Sequence, residues 1–84
     1  MAKVLYFGSL PDRIGRGAEE LFLPKTVHTT RELLRYLRER GKAWEEALQD
    51  EQLTITVNKE FLALDHPITD QDEIALISKG LGRS

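Results

Sequence analysis

The residues best suited to chemistry stand near the C-terminus, where Gly80-Leu81-Gly82 is followed by Arg83-Ser84. Glycine carries no Cβ to block close approach, so a backbone of this kind threads into narrow sites. A carboxylate at the end of such a segment is a group on which a partner can work. The remaining residues offer little by comparison. The two histidines, His28 and His66, belong to no acidic-histidine cluster at metal spacing, and His66 precedes Pro67, where shaping a turn accounts for it. Asp65, Asp70, Asp72 and Glu73 are interspersed with Pro67, Thr69 and Gln71 and read as turn formers. They lack the glycine a calcium loop requires. With no cysteine there is neither a thiol nucleophile nor a thiolate metal site. No Ser, His and Asp arrangement or paired-carboxylate pocket stands out, and Arg13, Gly15, Arg16 and Gly17 match no phosphate-cradling pattern. The expectation is no catalytic residue and no metal.

A working tail needs a fixed body to leave from. Residues 3–7, Lys-Val-Leu-Tyr-Phe, read as a strand halted by Gly8, with Val4 and Tyr6 facing inward and the reverse parity, Leu5 and Phe7, as the alternative. Residues 11–17 read as a polar connection, and residues 18–23 as a second strand closed by Pro24 and paired antiparallel with the first. Thr29-Thr30-Arg31-Glu32 has the form of a capping box, Leu33, Leu34 and Leu37 share one helical face, and Gly41 is placed to end the helix. Trp44, Ala47 and Leu48 suggest a short second helix packed at its edge. Arg31, Arg35 and Arg38 form a solvated stripe with Glu32 and Glu39 close by. Residues 53–57 alternate strictly, as a half-buried strand does. Residues 60–64 make a short strand, and Asp65-His66-Pro67 turns the chain. In the last strand Ile74 and Leu76 point one way, Ala75 and Ile77 the other.

The expected architecture is α+β, a mixed sheet packed on one main helix, in a single domain spanning 1–84 with a flexible C-terminal tail from about residue 78. One helix covers one sheet face. Ile77, joined by Phe61, therefore belongs to the uncovered face, an apolar patch suited to a protein partner. Packing of these two residues beneath the tail or the short helix is the alternative. A net charge of −2 leaves no broad basic field, so nucleic acid is not an expected ligand. The apolar run at the start is too short for a signal peptide or membrane span, which points to a cytoplasmic protein without a membrane partner.

Lys3-Val4-Leu5-Tyr6-Phe7, Thr26-Val27 with Leu33-Leu34, the pair Val57-Asn58, and above all the stretch from Asp65 to Ala75 give this sequence a likeness. It resembles the ubiquitin-like sulfur carriers, most closely the small-subunit branch of molybdopterin synthase, over nearly its whole length. The resemblance implies a β-grasp fold and a carrier that is not itself an enzyme and binds no cofactor. In such carriers an activating protein uses ATP to adenylate a C-terminal glycine, because a free carboxylate is a poor acyl donor. The end becomes a thiocarboxylate and enters the large subunit to deliver sulfur to the molybdopterin precursor. By the same resemblance, Gly80, Leu81 and Gly82 are the inserted tail, and Phe61 and Ile77 face the large subunit and the activating protein. The family ends in Gly-Gly; alignment through Asp72-Glu73-Ile74-Ala75 puts Gly82 at the penultimate glycine and Arg83 at the last. Three accounts stand open: trimming after Gly82, Arg83-Ser84 added in cloning, or a degenerate β-grasp interaction module without terminal chemistry.

Overall fold

The structure, a computed structural model, describes residues 1–61 and 65–78. The strands are β1 (Ala2–Phe7), β2 (Ala18–Leu21), β3 (Leu53–Val57), β4 (Glu60–Phe61) and β5 (Glu73–Ser78); the helices are α1 (Leu10–Ile14), α2 (Thr30–Arg38) and α3 (Lys42–Ala47). They build a five-stranded mixed sheet in the order β2-β1-β5-β3-β4. The first and last strands lie side by side and parallel at its centre, from Lys3 opposite Glu73 to Phe7 opposite Ile77. The other ladders are antiparallel.

Period-two alternation decides which face is covered. Val4 and Tyr6, not Leu5 and Phe7, turn into the core, joined by Ile55, Val57, Ile74 and Leu76. The opposing layer begins with α2, whose Leu33, Leu34 and Leu37 are wholly buried; each such leucine contributes about 1.5–3 kcal/mol of apolar transfer. The Thr29 hydroxyl accepts from the Glu32 N–H at 3.2 Å, while the Glu32 carboxylate accepts from the His28 N–H at 2.7 Å. This is a capping box displaced by one residue on its return bond.

Several expectations change. Residues 11–17 are not simply a connection: Leu10–Ile14 is a short helix with Pro11 in its first turn, and Leu10 is fully buried. Proline is pre-set for that position, lacking only an N–H the first turn does not use. Together with α3, the short second helix expected from Trp44, Ala47 and Leu48, it extends the layer whose main helix is α2, with Leu10, Ala47 and Leu48 joining the same core. β2 stops at Leu21, leaving Phe22 72% exposed. Gly41 does not end α2, which closes at Arg38, but stands at the start of α3. β4 is described only as Glu60–Phe61, and the remainder of the expected 60–64 strand, residues 62–64, lies outside the described residues.

A two-residue turn, Asn58-Lys59, joins β3 to β4, with φ of 52° and 72° respectively. Positive φ at both positions is what a type I′ hairpin turn demands. Asn58 also ties this hairpin to β5: its side chain donates to Asp72 Oδ1 at 2.9 Å and accepts from the Glu73 N–H at 3.0 Å.

Candidate docking face and tail root

Register places Leu5, Phe7, Ala75, Ile77, Thr54 and Thr56 on the sheet face away from the helices, with Phe61 opposite Thr56 on the same face. Phe61 is 74% exposed and Phe7 47%. Phe61 and Ile77 share this face but do not abut, because the Thr54 and Thr56 column of β3 stands between their strands. Phe7 is the closer apolar companion of Ile77, directly opposite it in the parallel ladder. Sequence reasoning had not placed Phe7 in the patch, although fixing the parity of β1 by Val4 and Tyr6 would have put it there. Ala75 is only 7% exposed despite pointing outward, flanked in the ladders by Leu5 and Thr56. A charged row, Glu20, Lys3 and Glu73, borders the patch on one side. An apolar centre with a charged margin can bind a protein surface, and it holds no group poised for proton transfer.

The C-terminal residues Gly80, Leu81 and Gly82 lie outside the described residues, as does the tail expected beyond residue 78. What is described is its root. β5 continues to Ser78, which is opposite Leu53 of β3 and only 9% exposed.

On the helical side of the sheet a polar cluster locks β1 and β2 to α3 and the end of α2. The buried Tyr6 hydroxyl donates to Glu19 Oε2 at 2.5 Å, and Arg40 holds the same carboxylate with two bonds of 2.7 and 3.0 Å. Arg16 adds an ion pair at 3.4 Å. Trp44 meets Tyr6 edge-on, with ring centroids 5.8 Å apart, and Arg40 lies 4.7 Å from the Trp44 ring centre. Burial works to raise the Glu19 pKa, but the bonds from Arg40 and Tyr6 and the nearby positive charges outweigh it, holding the carboxylate below its ordinary 4.5. Tyr6 is pushed well above its ordinary 10.0, first by burial and then by Glu19. Sequence gave no signal for this cluster, whose members come from four separate segments.

The arginine stripe of α2 finds its partners elsewhere than Glu32 and Glu39. Arg38 bonds Asp50 at 2.9 Å and the Leu48 carbonyl at 2.8 Å, and Arg31 bonds Asp65 at 2.6 Å. The acidic turn residues serve as backbone acceptors: Asp70 takes the Leu23 N–H at 2.7 Å and Asp72 the Thr69 N–H at 2.8 Å. The Asn58 amide, with help from Thr69, holds Asp72 below its ordinary value despite partial burial. Among the described residues there is no group of three His, Cys, Asp or Glu that could hold a metal ion, and no helix long and apolar enough to cross a membrane. The surface beside α2 carries shallow depressions, one of about 130 Å³ lined by Thr26, Val27, Glu32, Arg35, Tyr36 and Glu39, and one of about 430 Å³ lined by Arg35, Arg38, Glu39, Gly41 and Glu45.

A mixed sheet with parallel first and last strands at its centre, one face on helices and one open, is the ubiquitin-like β-grasp fold. The chain belongs to the ThiS family, whose model matches residues 4–79. It is 33% identical over 75 residues to the molybdopterin synthase sulfur carrier subunit of Escherichia coli (strain K12), covering 89% of this chain and 90% of that one. Among solved structures, a putative molybdopterin converting factor subunit 1 from Pyrococcus furiosus superposes with a TM-score of 0.74 at 23% identity, covering 92% of this chain and 94% of that one. A protein–protein complex of subunits 1 and 2 of the molybdopterin-converting factor of Helicobacter pylori 26695 contains a chain matching at a TM-score of 0.61 and 22% identity, over 98% of this chain and 97% of that one. The two structural likenesses establish the fold.

Proposed function

We propose that this protein is a sulfur carrier of the molybdopterin synthase type, active in the cytoplasm, and a carrier subunit rather than a catalyst. The carrying observation is the pairing of an uncovered apolar face with a glycine-containing end that follows the central strand of the same sheet. Phe61, Ile77 and Phe7 dock the large subunit and, in a separate encounter, an activating protein. Gly80, Leu81 and Gly82 reach into the partner's site. The activating protein spends ATP to form an acyl-adenylate with release of pyrophosphate, and sulfur then displaces AMP to leave a thiocarboxylate. The E. coli relative's name and the Helicobacter pylori two-subunit complex support this reading.

One feature favours a second reading, a β-grasp interaction module without terminal chemistry: Arg83 stands where the resembling carriers end in glycine. The two readings separate in an assay of ATP-dependent pyrophosphate exchange with the cognate activating protein. The substrates are the full chain, a chain ended after Gly82, and an Arg83→Gly chain lacking Ser84. Exchange on the chain ended after Gly82, and none on the full chain, is the expected result. Exchange confined to the Gly-Gly variant would leave the interaction module as the function, and none on any version would overturn the carrier reading.

A further inference from the structure

Three features converge at the end of β5. Gly8 adopts φ +72°, and a Cβ on it would stand 2.4 Å from Ser78 Oγ and 2.9 Å from the Ser78 carbonyl oxygen, so only glycine fits. The Ser9 N–H donates to Ser78 Oγ at 2.8 Å. The Ser9 and Ser78 hydroxyls share a further bond of 2.9 Å. Ser9 occupies the position before α1 where a serine ordinarily caps the helix with its side chain, yet it makes no such bond. Its hydroxyl is turned to the end of β5 instead. The backbone pairing of β5 with β1 has finished one residue earlier, at Phe7 opposite Ile77. Side chains thus hold the last residue of β5 to the β1 side of the sheet, where the parallel ladder no longer does.

We propose that Gly8, Ser9 and Ser78 are positioning residues that fix where and in which direction the C-terminal segment departs, so that it enters a partner's site when the open face docks. The inference rests on the carrier reading. Restricting the root of a tethered segment raises its effective concentration at a site the docked face has already brought near. It also lessens the ordering that binding must impose. Without the Ser9 and Ser78 contacts that restriction is lost, and docking alone does not replace it.

The test is a double-mutant cycle read as affinity for the cognate large subunit of molybdopterin synthase. Ser78→Ala, and separately Ser9→Ala, are placed in the full chain and in a chain ended after Lys79. The expected result is a loss of about threefold to tenfold in the full chain, the scale of one side chain's ordering, with no change in the shortened chain. Ser9→Thr, which keeps the hydroxyl at an exposed position, restores the full-chain affinity. Equal losses in both chains would make the contact merely structural and overturn the proposal, as would no loss in the full chain. Equal affinity of the unmutated full and shortened chains would instead sink tail insertion itself, and with it both the carrier reading and this inference. Thermal unfolding of each variant confirms that the folded protein is being compared.

Discussion

Tyr6 and Glu19 are joined across the β1–β2 ladder by a 2.5 Å bond from the phenol to a carboxylate that Arg40 grips from the other side. The Tyr6 side chain is buried and β2 is a short edge strand, so this bond carries the junction between the sheet edge and the helices. Removing Glu19 strands a buried hydroxyl and an arginine together. Glu19→Ala is expected to cost about 2–4 kcal/mol, while Tyr6→Phe, which leaves the Glu19 carboxylate to Arg40 and Arg16, costs about 0.5–1.5 kcal/mol. Urea unfolding of both variants checks the ranking, and a Tyr6→Phe loss exceeding that of Glu19→Ala would refute it.

The same cluster sets a pH dependence at both ends. Glu19 is held below its ordinary 4.5, so the unfolded chain takes up the proton first as pH falls. Its contribution is therefore complete above about pH 4.5 and is lost as pH falls through the lower folded value. Tyr6 is raised above 10.0, so its contribution is complete below about pH 10 and declines as pH rises beyond it. Denaturant midpoints across both ranges should show two slopes, the acid one reduced in Glu19→Gln and the alkaline one in Tyr6→Phe. Unchanged slopes in both variants would show that other groups set them.

What the sequence made legible follows from periodicity and local chemistry. The strict alternation at 53–57, the leucine spacing of α2 and the Thr29 cap each involve residues close in sequence, and each reads true in the structure. Helix α1 was not legible, because Leu10–Ile14 is too short to show a helical period and its proline and flanking glycine read as turn signals. The Tyr6, Glu19, Arg40 and Trp44 cluster was hidden for another reason: its partners meet only through tertiary packing, and a lone glutamate in an edge strand looks like a solvated one. The root formed by Gly8, Ser9 and Ser78 was hidden likewise, since Ser9 and Ser78 stand 69 residues apart in the chain and meet only through the fold.

Lys59 is a non-glycine residue at φ 72°, in a turn that needs positive φ at both central positions. Lys59→Gly relieves that backbone cost without touching the Asn58 contacts to Asp72 and Glu73, and is expected to stabilise the fold by about 0.5–1 kcal/mol. A higher denaturant midpoint at unchanged slope is the signature, and a lower midpoint would mean that the Lys59 side chain holds the hairpin by contacts of its own.

The open face proposed for docking gives the sharpest separation of fold from binding, because its residues differ in how much they support the sheet. Phe61 lies on a two-residue edge strand and is 74% exposed, so a charge there remains in water in the free protein and costs little stability. Ile77 lies in central β5 between Phe7 and Thr54, where a charge also disturbs the sheet. Phe61→Asp should therefore leave the unfolding midpoint nearly unchanged while weakening binding to the large subunit by about tenfold or more, since the carboxylate would be desolvated in an apolar contact. Phe7→Ser tests the neighbour of Ile77 in the same way and should act at least partly independently, because the two phenylalanines lie on different strands with β5 and β3 between them. Ile77→Asp should lower both stability and affinity, and cannot alone distinguish the roles. Titration calorimetry with the large subunit, paired with unfolding of each free variant, reads both quantities. Undiminished affinity in Phe61→Asp and Phe7→Ser together would place the partner elsewhere on the molecule and leave the open face without the role assigned to it.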